Sequence, residues 1–199
     1  MDVKKDKSCI MVIFGGTGDL AHRKLLPAIY NLHYEKKLPD NFAVVAIGRR
    51  DITRDEYREE VLDSLHAFSR FEVEHGVWNS LKDRIYYKTM DFLGAENYKS
   101  LNMDLIEIDD EYGTNGNRMF YMAVAPEYFG VIVDNLNKHC MKKNDDGWNR
   151  VVIEKPFGRD LDSAKVLNNK IVEVFREENT YRIDHYLGKE MLQNIMVIR

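Results

Sequence analysis

The chain has 199 residues, of which 44% are hydrophobic and 31% are charged, a balance typical of a packed globular protein rather than a disordered one. Its formal net charge of −4 gives no overall attraction for polyanions, so we expect no nucleic-acid partner. Cys9 and Cys140 fit neither a disulfide framework nor a zinc site, which predicts buried thiols, a reducing compartment and no bound metal. The short apolar run behind the charged N-terminus is neither a signal sequence nor a membrane span, so we expect a soluble cytoplasmic protein with no membrane partner.

The first part of the chain has the pattern of a βαβ unit. A β-branched apolar run at residues 8–14 stops at a glycine-rich turn, as expected of a buried parallel strand. From Asp19, apolar residues recur at helical spacing as far as the basic residues and proline near position 39. A second buried strand is predicted at 42–48. Thr53 and Glu56 then have the spacing of a capping box, which indicates the start of a charged helix.

The rest of the chain repeats this alternation. Strands are predicted at 85–89, 118–124 and 150–154, and helices at 97–108, 126–141 and 161–177. Pro126 stands at the first position of its helix, where a missing N–H is tolerated. Strands separated by helices of this length predict a Rossmann-like, doubly wound α/β fold, with a mainly parallel sheet, right-handed crossovers and helices on both faces.

The most informative segment is the glycine-rich turn after the first strand. It consists of Gly15, Gly16, Thr17, Gly18, Asp19 and Leu20. Glycine lets the backbone turn sharply and approach a ligand, and the N–H groups that open the next helix would face a diphosphate. The spacing departs from the usual G-x-G-x-x-G, so an ordinary tight turn is the alternative. The position of the segment at the first βα junction favours a dinucleotide site.

Two arginines at the end of the second predicted strand indicate which dinucleotide. An NAD-selective site usually carries Asp or Glu there, whereas Arg49 and Arg50 would attract a 2′-phosphate. We therefore predict NADP as the cofactor, with Arg49 as the phosphate ligand and Thr17 adding a hydroxyl. NAD remains compatible, because a flexible arginine can swing away from an adenosine without the phosphate. The alternative is a pair of solvent-exposed arginines that begin a helix.

Two further motifs carry polar groups. Lys155 follows a predicted strand and would point into the cleft at the sheet edge, with its backbone restricted by Pro156; an ordinary surface lysine is the alternative. Residues 181–190 bring together a carboxylate, an imidazole, a phenol and an ammonium group. These groups belong to Asp184, His185, Tyr186 and Lys189. A helix beginning near Leu187 would place His185, Tyr186 and Lys189 at an anion site, and a helix entry with surface charges is the alternative.

Residues 15–21, 154–161 and 182–190 together resemble the glucose-6-phosphate dehydrogenase family, in the same order and at similar separations. The third motif is the most specific, and the resemblance covers essentially the whole chain. It implies an NADP-dependent oxidoreductase that oxidises glucose 6-phosphate at C1 to 6-phosphogluconolactone by hydride transfer to the nicotinamide. This is the entry step of the oxidative pentose phosphate pathway.

The resemblance also implies roles for individual residues. The implied cofactor ligands are Gly15, Gly16, Thr17, Gly18, Asp19, Leu20, Arg49, Asp91, Ala125, Pro126 and Lys155. Of these, Asp91 would lie near the adenosine, and Ala125 and Pro126 beside the nicotinamide ribose. The implied ligands of glucose 6-phosphate are Lys155, His185, Tyr186 and Lys189. Lys155 and Asp184 are the implied catalytic residues, with Asp184 orienting a histidine that removes the proton from the C1 hydroxyl.

The resemblance divides the chain into an NADP-binding Rossmann domain at 1–180 and the start of a second domain at 181–199. In the family, that second domain carries the catalytic histidine and forms the interface of a homodimer or homotetramer. We therefore expect the 199-residue chain alone to be inactive, with an exposed apolar surface around 191–198. Two alternatives stay open. One is a Rossmann-type dehydrogenase of an unphosphorylated sugar or inositol, which would not need the phosphate ligands His185 and Lys189. The other is a non-catalytic NADP-binding module.

Overall fold

The core of the protein is a parallel β-sheet. The structure, a computed structural model, describes residues 8–141, 147–155, 158 and 160–183. Within these residues the strands are β1 (Cys9–Phe14), β2 (Phe42–Gly48), β3 (Ile85–Thr89), β4 (Arg118–Met122), β5 (Asn149–Glu154) and β6 (Thr180–Ile183). Their order in the sheet is β3-β2-β1-β4-β5-β6, and every neighbouring pair is parallel. The winding direction changes between β1 and β4, which is where such sheets bind ligands.

Helices cover both faces of this sheet. They are a π-helical turn (Ala21–Leu25) that continues into α1 (Leu26–Tyr34), then α2 (Arg54–Phe68), α3 (His75–Lys82), α4 (Ala95–Tyr112), α5 (Phe129–His139) and α6 (Leu161–Phe175). Short 3₁₀ turns are formed by Pro126–Tyr128 and Glu177–Asn179. Helices α1 to α3 pack on one face, and α4 to α6 on the other. The predicted Rossmann-like, doubly wound α/β fold is confirmed. In the described ranges, no helix is long and apolar enough to cross a membrane.

The central strands are buried on both faces, as expected for a parallel sheet. Ile10 and Val12 of β1 face α4 to α6, whereas Ile13 faces α1 to α3, and β2 is buried along its whole length. Cys9 and Cys140 are buried free thiols, as the sequence predicted. Burial raises the pKa of the Cys9 thiol to about 11 and that of the Cys140 thiol to about 12, so both thiols stay protonated at neutral pH.

Most predicted elements are present, with shifted ends. Strands β2 and β3 have the predicted bounds, and the Thr53–Glu56 capping box begins α2. The helix predicted at 97–108 extends over Ala95–Tyr112, and β4 ends at Met122 rather than at residue 124. The helix predicted from Pro126 opens with a 3₁₀ turn and becomes α-helical only at Phe129.

Two elements were not predicted. Helix α3 lies between the predicted charged helix and the predicted strand at 85–89, and β6 begins at the predicted domain boundary of residue 180. The sheet therefore includes residues 181–183, which the sequence assigned to the start of the second domain. The division at residue 180 stays a prediction. Residues 191–198, where we expected apolar surface, lie outside the described residues.

A buried ion pair holds the start of β4 against α4. The side chain of Arg118 is 1% exposed, and its Nη2 donates to the Asp109 carboxylate over 2.9 Å. Its Nη1 donates to the Cys140 carbonyl over 2.7 Å and to Asn102 Oδ1 over 3.0 Å. The other Asp109 oxygen accepts a hydrogen bond from the Thr114 hydroxyl. This pair lies at the amino end of the parallel strands, away from the ligand edge.

Candidate nucleotide-binding site

The glycine-rich turn is wedged between the ends of two strands. The N–H groups of Gly15 and Gly16 both donate to the Ile47 carbonyl in β2, over 2.9 and 2.8 Å. Gly15 has a φ of +87°, and a Cβ there would lie 2.2 Å from the carbonyl oxygen of Ala123, just past β4. A Cβ on Gly16 would lie 2.6 Å from the Cβ of Ala46. Both positions therefore require glycine.

The helix that follows starts at the ligand edge of the sheet. The Gly18 N–H donates to the Gly15 carbonyl over 2.9 Å, and the His22 N–H donates to the Gly18 carbonyl over 3.2 Å. Helical winding begins at Asp19, whose exposed carboxylate lies 3.5 Å from Arg23 on the helix surface. The first N–H groups of a helix have no partner within it, and the helix dipole favours an anion there. The turn is therefore suited to a diphosphate.

The two arginines after β2 have different surroundings. Arg50 donates two hydrogen bonds to the Glu60 carboxylate, over 2.8 and 2.7 Å, and this pairing raises the pKa of Arg50. Arg49 is exposed, and nothing in the described part of the chain pairs with its guanidinium. Thr17 lies against Gly48, the residue before Arg49, because a Cβ on Gly48 would come within 2.9 Å of Thr17 Oγ1. An available guanidinium at the end of β2, one residue beyond the glycine that Thr17 approaches, fits the 2′-phosphate of NADP, so Arg49 suits that role better than Arg50.

Asp91 lies next to this arginine turn. The N–H of Met90 donates to the Gly48 carbonyl over 2.8 Å, which joins the loop after β3 to the end of β2. Asp91 is exposed, and one of its carboxylate oxygens accepts a hydrogen bond from the Leu93 N–H over 3.1 Å. One oxygen is thus used within the loop, and the residue stands at the adenosine side of the predicted site.

Ala125 and Pro126 lie on the other side of the glycine turn. The N–H of Ala123 donates to the Phe14 carbonyl over 2.9 Å, so the segment after β4 runs beside the end of β1. Ala125 is exposed at the start of the 3₁₀ turn, and Pro126 is its first residue. The position of this pair across the change of winding direction suits a segment beside the second half of a dinucleotide.

Lys155 follows β5 at the same edge and is exposed. Before it, Glu154 accepts a hydrogen bond from the Tyr121 hydroxyl of β4, and burial together with this carboxylate raises the pKa of Tyr121. The remaining predicted site residues, Asp184, His185, Tyr186 and Lys189, lie outside the described residues, as does Pro156. The described site residues therefore all belong to one edge of the sheet.

Comparisons with known proteins identify the family of the chain. A sequence model described as "Glucose-6-phosphate dehydrogenase, NAD binding domain" matches residues 12–194. The chain belongs to the glucose-6-phosphate dehydrogenase family. The glycine turn and the sheet edge described above lie within the part that matches this NAD-binding domain.

Individual members of the glucose-6-phosphate dehydrogenase family support the match. The chain is 47% identical to a glucose-6-phosphate 1-dehydrogenase of Chlamydia muridarum, over 96% of this chain and 39% of that protein. It is 42% identical to the Bacillus subtilis enzyme of that name, over 100% of this chain and 40% of that protein. A solved glucose-6-phosphate dehydrogenase in complex with glucose-6-phosphate superposes with a TM-score of 0.84 at 29% identity, covering 100% of this chain and 41% of that one. The chain thus spans about two fifths of the length of these relatives.

Two residues of the site were missed from the sequence, namely Tyr57 and Glu60 of α2. The Tyr57 hydroxyl donates to the Gly16 carbonyl, and Glu60 binds Arg50. The apolar spacing of Tyr57, Val61 and Leu65 does indicate a buried helix face. No local pattern could have shown that the hydroxyl of Tyr57 reaches a glycine 41 positions earlier in the chain.

His22, in the helix after the glycine turn, is a half-buried histidine. Its Nδ1 lies 2.7 Å from Ser64 Oγ, and its ring meets the Tyr57 ring edge-on with centroids 5.8 Å apart. Burial lowers the pKa of His22 below its usual 6.5, with Glu60 opposing the shift and Arg50 adding to it. Folded His22 is therefore harder to protonate than unfolded His22.

We expect the free energy of unfolding to fall as the pH drops below about 6.5, because the unfolded chain then binds the extra proton. In His22→Gln the fall should be shallower, by less than the limit of about 1.4 kcal/mol per pH unit that one full proton allows. Above pH 7 the two proteins should have the same pH dependence. Denaturant unfolding between pH 5 and 8 measures this, with His66→Gln, an exposed histidine, as control. Equal slopes in the parent and His22→Gln would contradict the expectation.

Proposed function

We propose that this chain binds NADP as the coenzyme-binding part of a glucose-6-phosphate dehydrogenase, which oxidises glucose 6-phosphate at C1 to 6-phosphogluconolactone. The observation that carries the proposal is the exposed Arg49 guanidinium at the end of β2, next to a glycine turn that opens a helix and whose Thr17 hydroxyl approaches Gly48. The first feature suits the 2′-phosphate and the second suits the diphosphate. NAD has the diphosphate but lacks the 2′-phosphate, so we infer a weaker use of NAD.

The bound NADP supplies the nicotinamide ring that accepts the hydride. The glycine turn would hold the diphosphate, Asp91 would lie at the adenosine, and Ala125 and Pro126 would lie beside the nicotinamide ribose. Lys155 stands at the same edge, with β1 and β4 between its strand and β2, where one ammonium group can approach both cofactor and substrate.

We assign binding of glucose 6-phosphate to Lys155, His185, Tyr186 and Lys189, on the strength of the family motif. Charge-assisted hydrogen bonds from an imidazolium and an ammonium suit a phosphate dianion. In this assignment Asp184 orients the histidine that takes the C1 hydroxyl proton, and no histidine of this sequence is given that catalytic role. Lys155 and Asp184 are the catalytic residues of the proposal within this chain.

A loss of selectivity on replacing Arg49 tests the cofactor assignment. In Arg49→Ala we expect NADP binding to weaken by about 1.5 to 3 kcal/mol, or about 10- to 150-fold, since one charge-assisted phosphate contact is lost. NAD binding should change less than about twofold, because NAD carries no 2′-phosphate. Calorimetric titration of the 199-residue chain with each dinucleotide measures both affinities.

Arg70→Ala is the matched control for this titration. Arg70 is an exposed arginine beyond the far end of α2, so its replacement removes the same charge away from the proposed site. It should leave both affinities close to those of the parent. A parent protein that is folded but binds neither dinucleotide, or an Arg49→Ala variant that loses both equally, would contradict the proposal.

We also propose the wider setting that the family resemblance implies. The protein would act in the cytoplasm, which two buried free thiols support. It would assemble as a homodimer or homotetramer through a second domain that begins near residue 181. Size-exclusion chromatography with light scattering, on a chain that extends through that domain, would test the assembly.

A further inference from the structure

The Tyr57 hydroxyl is a buried polar group directed at the glycine turn. Tyr57 is 0% exposed, and its hydroxyl donates to the Gly16 carbonyl over 2.8 Å. Its ring stacks on Tyr87 of β3, with ring centroids 4.7 Å apart and planes at 24°. A buried hydroxyl needs a partner, and this one has the backbone of the turn that would hold the cofactor.

We propose that Tyr57 is a positioning residue for the dinucleotide, one that holds the Gly16 peptide so that the turn presents a hydrogen-bond donor to the diphosphate. The inference rests on the proposed function, because it assumes that the turn binds a diphosphate. It adds to the proposed site a residue of α2 that does not itself touch the cofactor.

The argument follows from the geometry of a peptide unit. The Gly16 carbonyl and the Thr17 N–H belong to one planar trans peptide, so they point in opposite directions. Tyr57 holds the carbonyl toward the buried side. The Thr17 N–H therefore points away from Tyr57, and in this proposal it is the donor that faces the diphosphate. A flipped peptide would present a carbonyl oxygen to the diphosphate, and two electronegative groups would then repel each other.

The other contacts of the turn explain why the Tyr57 hydrogen bond restrains one particular peptide. The Gly16 N–H is already held by the Ile47 carbonyl over 2.8 Å, which fixes the preceding peptide. The Gly16–Thr17 peptide is held by Tyr57 from the core side. Glycine has access to more backbone conformations than other residues, so a peptide next to Gly16 gains most from such a restraint.

The stack with Tyr87 keeps the Tyr57 ring in place. The Tyr87 hydroxyl donates to the Arg50 carbonyl over 2.7 Å, and the Thr89 hydroxyl donates to the same carbonyl over 3.0 Å. The glycine turn and the arginine turn are therefore both attached to one pair of stacked rings. Because the arginine turn keeps its own hydrogen bonds when the Tyr57 hydroxyl is removed, the contribution of the 2′-phosphate should survive that change.

Tyr57→Phe tests the proposal, since it removes the hydroxyl and keeps the ring. We expect NADP and NAD to bind about 3- to 10-fold more weakly, by a similar factor, because the diphosphate is common to both. The ratio of the two affinities should stay within about twofold of the parent ratio. This pattern is the opposite of the selective loss expected for Arg49→Ala. Calorimetric titration at equal salt concentration measures all four affinities.

Tyr30→Phe provides the matched control. Tyr30 is also 0% exposed in the same helical layer, and its hydroxyl donates to the Glu72 carbonyl over 3.1 Å and accepts from the Glu74 N–H over 2.9 Å. It lies 12 residues along the helix from Gly18, about 18 Å away at the usual helical rise. Both variants should lose thermal stability. Only Tyr57→Phe should lose nucleotide affinity, which separates positioning from support of the fold.

A second measurement needs no variant. In the parent protein, the amide proton resonance of Thr17 should shift strongly on addition of either NADP or NAD. Parent-like affinities in folded Tyr57→Phe, a loss confined to NADP, or a Thr17 amide that does not respond to bound dinucleotide would each overturn the inference and leave the proposed function standing. A folded parent that binds neither dinucleotide would overturn both.

Discussion

Replacing Gly15 with alanine is expected to abolish measurable NADP binding and to lower the free energy of unfolding by about 2 to 4 kcal/mol. The backbone φ of +87° disfavours any residue with a Cβ, and that Cβ would lie 2.2 Å from the Ala123 carbonyl oxygen and 3.0 Å from Val124 Cγ1. The turn can relieve this contact only by moving away from the end of β4. Such a movement would displace the N–H groups that we propose bind the diphosphate.

Gly76→Ala is the control for this substitution. Gly76 lies in α3, and a Cβ there meets nothing within 4 Å. Alanine should therefore leave nucleotide binding unchanged and raise stability slightly, by up to about 1 kcal/mol from helix propensity. Denaturant unfolding and calorimetric titration measure the two effects. If Gly15→Ala were as stable as the parent and still bound NADP, the close approach of Gly15 to the Ala123 carbonyl would be wrong.

Arg118→Met is expected to destabilise the fold by about 3 to 5 kcal/mol, because it leaves the Asp109 carboxylate buried without its cation. The side chains of both residues are almost fully inaccessible, at 1% and 6% exposed, so water cannot replace the lost partner. The loss should appear in the midpoint of denaturant unfolding. Methionine is close to arginine in length, so the charge and not the volume is the main change.

The double variant Arg118→Met/Asp109→Leu distinguishes pairing from packing. Removing both charges should restore most of the lost stability, since an apolar pair of similar volume replaces a buried ion pair well. The surface pair Lys99 and Glu96, with side chains 56% and 82% exposed, is the comparison, and Lys99→Met should leave the unfolding midpoint almost unchanged. A double variant as unstable as Arg118→Met alone would rule out the unpaired Asp109 carboxylate as the cause of the lost stability.

The parts of the fold that were predicted are those with a local cause. Strands β1 and β2 are runs of apolar, β-branched residues buried on both faces, and the Thr53–Glu56 capping box needs only residues three positions apart. Strand β6 was missed because it is a short edge strand. Its side chains at 181–183 are exposed, so it lacks the apolar run that marks the inner strands. Helix α3 buries only Trp78 and Leu81, which is too little for a clear helical period.

The candidate site likewise contains residues that could be predicted from the sequence and residues that could not. The glycine turn and Arg49 stand next to strand ends, so their position follows from the order of elements along the chain. Two other contacts depend on how α2 packs against the sheet. They are the hydrogen bonds from Arg50 to Glu60 and from the Tyr57 hydroxyl to the Gly16 carbonyl. The buried Arg118 was missed for a related reason, because a charged residue at a strand end is usually exposed and its partner lies in another element.

The place of β1 in the sheet bears on how the chain folds during synthesis. β1 pairs with β2 on one side and with β4 on the other, and β4 begins about 70 residues after β2 ends. At ribosomal rates of 5 to 20 residues per second, β1 has an open, apolar edge for roughly 4 to 14 s after β2 is made. Unpaired apolar edges are templates for aggregation, so the nascent chain is exposed to aggregation during this interval.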